Sequence, residues 1–306
     1  MFYLFVCGII RSVGDDNLKK TAFFYIVLAS VLWGTSGLFA HFLRPFGFSS
    51  VQMTLMRGIV SMIIMVGFVL IKDRKLLKAP KKEILLLIGS GVSLFGTATA
   101  YYASMEASSV SAAVILMYTA PVFVLIYSVI FLGEKLNAVK TISIFLMLVG
   151  CALVSGIVGG MEFSLWGIIF GMISGITYSA YNIFTKILTL HKVPAVTVTS
   201  YNFIIMTVLG LITAKPLNML DCAAKEPMVT IPLMIGIGVC TCILPYFFYT
   251  LGLRDIPAGT ASSLGIIEPL SATIFSVCFL DEALTLPLII GMILICGAVA
   301  ALAKQK

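Results

Sequence analysis

The sequence predicts an all-α integral membrane protein. Its ten transmembrane helices would form two inverted five-helix repeats, with both the N- and C-termini cytoplasmic. Three observations lead there. The 306 residues are 60% hydrophobic and only 11% charged, with a mean hydropathy of +1.11, whereas a soluble domain carries roughly 25% charged residues. The chain therefore has hydrocarbon as its main solvent. An apolar stretch, SAAVILMYTAPVFVLIYSVIFLGEKL from Ser111 to Leu136, returns 148 residues later as GTASSLGIIEPLSATIFSVCFLDEAL from Gly259 to Leu284. From Ala113 to Leu136, ten of 24 positions are identical at that offset, among them Pro121/Pro269 and Glu134/Glu282. The basic residues sit in short clusters between apolar runs, which is topology rather than a nucleic-acid footprint, despite a net charge of +7.

Residues 1–20 form a lead-in. Met1–Ile10 is apolar but too short to span. It lacks a basic start and a small-residue cleavage site, so it is expected to be an interfacial turn or to follow an upstream start codon, and not to be a signal peptide. Ten spans of about 20 residues, each able to cross roughly 30 Å of hydrocarbon, are placed at 21–42, 50–71, 83–102, 110–132, 138–158, 164–185, 194–213, 230–250, 258–280 and 284–303. Pro232 and Pro245 make 230–250 the least regular of these. Helices are expected because each span must satisfy its own backbone groups and no period-2 barrel pattern is present. The first repeat is placed at 21–158 and the second at 164–303.

With the N-terminus inside, sixteen Lys and Arg fall in cytoplasmic segments, Lys186 among them. Three (Arg44, Lys215 and Lys225) fall outside, and Arg57 lies within a span. That bias sets the orientation. Five helices per copy make the second copy enter from the opposite side, so the repeats are inverted. The first helices of the copies align more weakly, at offset 145, with Trp33 opposite Tyr178.

Inverted repeats interrupted at matching positions point to a secondary transporter with a midplane cavity. Pro121 and Pro269 lie mid-span, where each removes a donor from the carbonyl four residues earlier, at Met117 and Gly265. A plain kink is the competing reading of either proline alone. Glu268 is the one acid that the placed spans carry deep into the membrane; its repeat partner is Ala120. It would bind a substrate amine, carry a coupling proton, or sit neutral and hydrogen-bonded. Arg57, opposite Asn202 in the repeat, would hold an anionic group, snorkel to the interface or pair with Glu268. Aromatics with polar tips cluster in these helices: Trp33, Tyr101, Tyr102, Tyr118, Tyr178, Tyr181, Tyr246 and Tyr249. Asn182 and Asn202 need partners in hydrocarbon. The cavity candidates are Trp33, Arg57, Tyr101, Tyr102, Tyr118, Pro121, Tyr178, Asn182, Asn202, Tyr249, Glu268 and Pro269. Glu134 and Glu282 are expected at the rims.

The seven cysteines are read as packing residues, without disulfides or a metal site. No phosphate loop, nucleophile elbow or zinc-protease motif occurs. Together with only two His, this argues against an enzyme, and no cofactor is expected. The partners expected are a small-molecule substrate and the lipid bilayer, with no nucleic acid; the oligomeric state, a homodimer included, is open. Two other readings stand beside the transporter of metabolites. One is a sugar-nucleotide or lipid-linked sugar translocator, which the single deep base disfavours. The other is a non-transporting sensor or scaffold.

At Ala107–Leu136 with the following LMLVGCALV, at the echo Ile266–Leu284 and at Leu55-Met56-Arg57, the chain resembles the EamA-like branch of the drug/metabolite transporter superfamily. The resemblance covers nearly everything from residue 21. It implies ten helices in two inverted repeats, cytoplasmic termini, a central cavity in the inner or plasma membrane, and gradient-driven export or exchange of small metabolites such as amino acids. Asp281-Glu282 stands where Gly-Glu is usual in the family.

Overall fold

The computed structural model describes residues 15–107, 113, 116–133, 137–154, 164–214, 216–279 and 285–303. Met1–Ile10, Glu134 and Glu282 lie outside the described residues. Nearly everything described is helical: α1 (Asp15–Gly34), α2 (Ser36–Leu43), α3 (Ser50–Lys72), α4 (Ile84–Ala107), α5 (Ala120–Leu132), α6 (Ala138–Val154), α7 (Leu165–Leu190), α8 (Ala195–Thr213), α9 (Pro216–Ala224), α10 (Pro227–Gly238), α11 (Leu244–Asp255), α12 (Ala258–Leu264), α13 (Ile267–Phe279) and α14 (Leu286–Ala303). Among the described residues, seven stretches are long and apolar enough to cross a membrane: 20–46, 51–71, 81–104, 165–190, 195–213, 227–255 and 258–279. Three shorter apolar helices fall at 120–131, 138–153 and 286–298.

Local chemistry sets the helix ends. Ser49 caps α3 by accepting from the Gln52 amide, while the Gln52 side chain takes the Ser49 amide at 3.0 Å, so two orphan donors are satisfied at once. Ser164 caps α7 through the Gly167 amide at 2.9 Å. After α3, the turn at Arg74–Leu77 is pinned, because Thr197 and Tyr201 on α8 donate to the carbonyls of Leu76 and Leu77 at 2.7 and 2.9 Å. At the opposite end the Lys225 ammonium donates to the Phe46 carbonyl at 2.9 Å.

The helix pairings are reciprocal. α4 packs on α7, and α1 packs on α11; α7 packs on α5, and α1 on α13. α8 packs on α4, and α3 on α10. α3 with α8, α6 with α14, and α5 with α12 pair across the middle. The outer surface is apolar, with Ile71, Leu85, Phe145, Ile212 and Ile293 all exposed. Polar side chains such as Ser30, Ser61, Asn182 and Thr241 are wholly buried. This inside-out pattern suits hydrocarbon outside and hydrogen-bonded contacts within.

Four interruptions face the centre of the bundle. Thr35 separates α1 from α2, its hydroxyl turning back to the Leu32 carbonyl at 2.7 Å. Tyr118 and Thr119 form a turn before α5, and Gly265 and Ile266 form one between α12 and α13. Val239–Ile243 is a π-helical segment joining α10 to α11. Neighbouring helices come close to the two turns. A Cβ on Gly34 would lie 3.0 Å from the Glu268 carbonyl oxygen and 2.3 Å from Ser271 Oγ, and one on Gly175 would lie 2.9 Å from Thr119 Oγ1. Only glycine allows those approaches.

Candidate functional site

Residues beside three of these interruptions line one cavity, which leaves ≈80 Å³ for the centres of water-sized groups. Its wall includes Trp33 and Ser36 beside the Thr35 turn, Arg57 on α3, Tyr101 and Tyr102 on α4, Met117 and Glu268 at the paired turns, Tyr178 on α7 and Tyr246 on α11.

Arg57 sits two turns into α3 and is held by three donations. Its Nη2 gives to the Thr241 carbonyl at 3.0 Å, its Nη1 to the Tyr102 hydroxyl at 3.3 Å, and its Nε to Cys242 Sγ at 3.3 Å. The first has a backbone cause. Pro245 stands four residues after Thr241 and has no N–H to offer that carbonyl. The π turn at Val239–Ile243 swings carbonyls off the α-helical ladder, as such turns do at functional sites. The guanidinium takes that oxygen at the edge of the π segment. The cysteines were all expected to be packing residues; Cys242 packs in the core and also accepts from the arginine.

Glu268 occupies the first turn of α13, where the helix dipole favours negative charge. Its Oε2 accepts from the Tyr118 hydroxyl at 2.7 Å. Tyr118 belongs to the turn of one apolar run and Glu268 to the turn of its echo, so this bond joins the two interruptions. Among the described residues no ion pair joins Arg57 to Glu268. The two charges face the same cavity, each held by neutral groups.

Two groups of packed aromatics stand at the cavity and behind its wall. Trp33 packs edge-on against Tyr246 with ring centroids 5.0 Å apart, Tyr246 meets Tyr181 at 5.7 Å and Phe203 at 6.0 Å, and Tyr101 meets Tyr102 at 5.7 Å. Such surfaces accept flat apolar groups and cations.

Of the twelve sequence candidates, Trp33, Arg57, Tyr101, Tyr102, Tyr178 and Glu268 line the cavity, and Tyr118 holds Glu268. Pro121, Asn182, Asn202, Tyr249 and Pro269 do not line it. Pro121 stands in the first turn of α5 and Pro269 in the first turn of α13, so each opens a new helix instead of kinking a continuous one. Gly265's carbonyl, expected to be left free, accepts from the Glu268 amide at 2.9 Å. Asn182 accepts from the Tyr249 hydroxyl and donates to the Tyr178 carbonyl at 2.7 Å. Asn202 is buried with neither amide atom partnered among the described residues. Ser36, Thr97, Met117, Met206 and Tyr246 line the cavity but are not among the twelve. Tyr246 had a signal in its place directly after Pro245. The others are ordinary small or apolar residues in apolar helices and carry none.

A multi-helix membrane bundle with charged and aromatic groups around a buried cavity defines a membrane transport protein. The chain belongs to the EamA-like transporter family, whose pattern it matches twice, over residues 20–156 and 165–303. An uncharacterized transporter of Archaeoglobus fulgidus is 29% identical over 90% of this chain and 93% of its own length. The uncharacterized transporter YxxF of Bacillus subtilis is 24% identical over 94% and 90%, and one from Clostridium kluyveri is 21% identical over 94% of each chain. A crystal structure of a protein 18% identical in sequence superposes with a TM-score of 0.76 over 92% of this chain and 96% of that one. That likeness concerns the fold alone. The family and these relatives make the chain a multi-pass transporter.

Proposed function

We propose that the chain is a secondary active or facilitative exporter of small metabolites that carry both a charged and an apolar part, amino acids and related amphipathic compounds. It would work by alternating access around the cavity, in the cell membrane. The observation that carries this reading is the placement of Arg57 and Glu268 on one aromatic cavity without an ion pair between them. A cation and an anion held apart, each on neutral partners, match a ligand with separated charges or a charged end and a hydrogen-bonding end. Aromatic faces between them match an apolar body.

The reciprocal helix pairings support two five-helix repeats, 21–158 and 164–303, related by inversion, with ten helices and both termini cytoplasmic. Glu268 is the group in this arrangement suited to carrying a coupling proton. The sugar-nucleotide alternative needs more cationic surface than Arg57 supplies, and three of Arg57's donor positions are already engaged.

The test is a thermal-shift screen of the purified protein against amino acids, nucleosides, sugar phosphates and amphipathic amines, since a ligand of the native state raises apparent stability. Counterflow of each hit in proteoliposomes follows. The reading expects a hit among amino acids or amines that Arg57→Ala or Tyr102→Phe abolishes and a lipid-facing substitution keeps. Hits confined to sugar phosphates, or hits untouched by the cavity variants, would overturn it.

A further inference from the structure

Lys186 was expected among the cytoplasmic loop bases. It is instead buried inside α7, and its ammonium donates to the backbone carbonyls of Leu253 at 2.6 Å, Arg254 at 3.3 Å and Ile256 at 2.9 Å. Those oxygens close the C-terminal end of α11, where unsatisfied carbonyls and the helix dipole attract a cation. One turn earlier on the same face of α7, Asn182 takes the Tyr249 hydroxyl, also from α11. A further turn back lies Tyr178, in the cavity wall. Residues four apart share a helix face. Tyr178, Asn182 and Lys186 therefore draw one polar line from the cavity to the end of the bundle. Along it α7 is fastened to α11, and the line is sealed, with Asn182 and Tyr249 at 0% exposure.

Apolar contacts flank this line, with Tyr181 and Leu253 in the same core cluster as Tyr178 and Tyr249; its polar groups are the ones that water can replace. Parting those hydrogen bonds exchanges protein partners for water. The ammonium is the strongest fastening, because a charged donor bound to carbonyls outweighs a neutral one. α11 also carries Tyr246 and continues through Pro257 into α12 and the Gly265–Ile266 turn that sets Glu268. Movement at this seam therefore reaches both sides of the cavity.

We infer that the Tyr178–Asn182–Lys186 face of α7, zipped onto the end of α11, is the gate that closes the cavity at this end of the bundle, with Lys186 as its latch and a positioning residue for transport. This inference rests on the alternating-access reading given above, but its test needs no knowledge of the substrate. The opposite end is marked by the turn before α3 and the start of α10, tied by Lys225 to Phe46.

The experiment is hydrogen–deuterium exchange of the full chain in lipid nanodiscs. Lys186→Met, which loses all three donations, is expected to speed exchange at least about tenfold over 250–258. It is also expected to slow exchange several-fold over 44–50 and 226–230, because alternating access couples opening here to closing there. Lys186→Arg, which keeps charge and donors, should restore most of both effects. Faster exchange over 250–258 with no slowing at the other end, a uniform rise or no change would each reduce Lys186 to a structural clamp and overturn the gate. If Lys186→Met does not fold, Tyr249→Phe removes one neutral hydroxyl from the neighbouring part of the seam, and it must show the same opposed pattern at smaller size or the gate falls. Substrate flux without the opposed pattern would sink the gate and leave the transporter standing. The opposed pattern without flux of any metabolite would do the reverse.

Discussion

At the first interruption, the Thr119 hydroxyl and amide both turn back to the Leu116 carbonyl, at 2.6 and 3.2 Å. A Cβ added to Gly175 on the neighbouring helix would crowd that turn. At the second, the Glu268 amide turns back to Gly265, and Gly34 is the crowded neighbour. The two sites share an architecture: a short turn, a proline in the new helix's first turn, and a small residue pressed against it. They differ in cargo. Ala120, the position matching Glu268, is buried, and its carbonyl accepts from Ser179 at 3.1 Å. The first copy contributes Tyr118, a neutral donor, and the second contributes the carboxylate that receives it. The second copy likewise supplies the π turn that anchors Arg57 of the first. Each half therefore holds one charge, and the other half supplies a hydrogen-bond partner for it.

The sharpest way to break that comparison is Glu268→Gln. If the carboxylate carries the coupling proton, proton-driven flux in proteoliposomes should fall at least about 100-fold while downhill exchange persists and loses its pH dependence. Full activity with unchanged pH dependence would return Glu268 to a structural role. Arg57→Ala comes next. It leaves the Thr241 carbonyl and the Tyr102 hydroxyl without their donor, and a loss of about 2–3 kcal/mol in unfolding free energy is expected. Its repeat counterpart should behave oppositely, since Asn202→Leu removes two unpartnered amide atoms and should stabilise the protein by about 1 kcal/mol. Denaturation of both variants side by side checks the pair, and similar losses would mean that Asn202 has a ligand or water of its own.

A smaller effect is expected from Tyr118→Phe, which deletes the bond joining the two turns. Flux should drop about tenfold, the worth of one hydrogen bond to a charged group, with the fold intact by melting. The smallest belongs to Pro245→Ala, which returns an N–H to the Thr241 carbonyl. It should weaken the hold on Arg57 by about 0.5–1 kcal/mol, visible as a modest rise in the half-saturating substrate concentration.

Much of this was legible in the sequence. Hydropathy and the 148-residue echo locate the apolar stretches and the two proline-bearing interruptions, though not the break at Thr35, because membrane-spanning length and proline act locally. Arg57, Glu268 and the aromatics stand out because each is costly in hydrocarbon without a purpose. The pairing of those groups was not legible. Arg57 meets the Thr241 carbonyl of the π segment across 184 residues, and Tyr118 meets Glu268 across 150 residues. Lys186 read as a loop base because it lies one residue beyond the placed span, yet helix α7 runs on and its ammonium finds the end of α11. Such contacts depend on how helices dock, which a hydropathy profile does not contain.

The π segment Val239–Ile243 also bears on lineage. A wider turn lets a helix absorb one extra residue while both of its ends stay docked. A copy that gained a residue there would keep its place in the bundle and still present a carbonyl sideways, ready for a cation from the other copy.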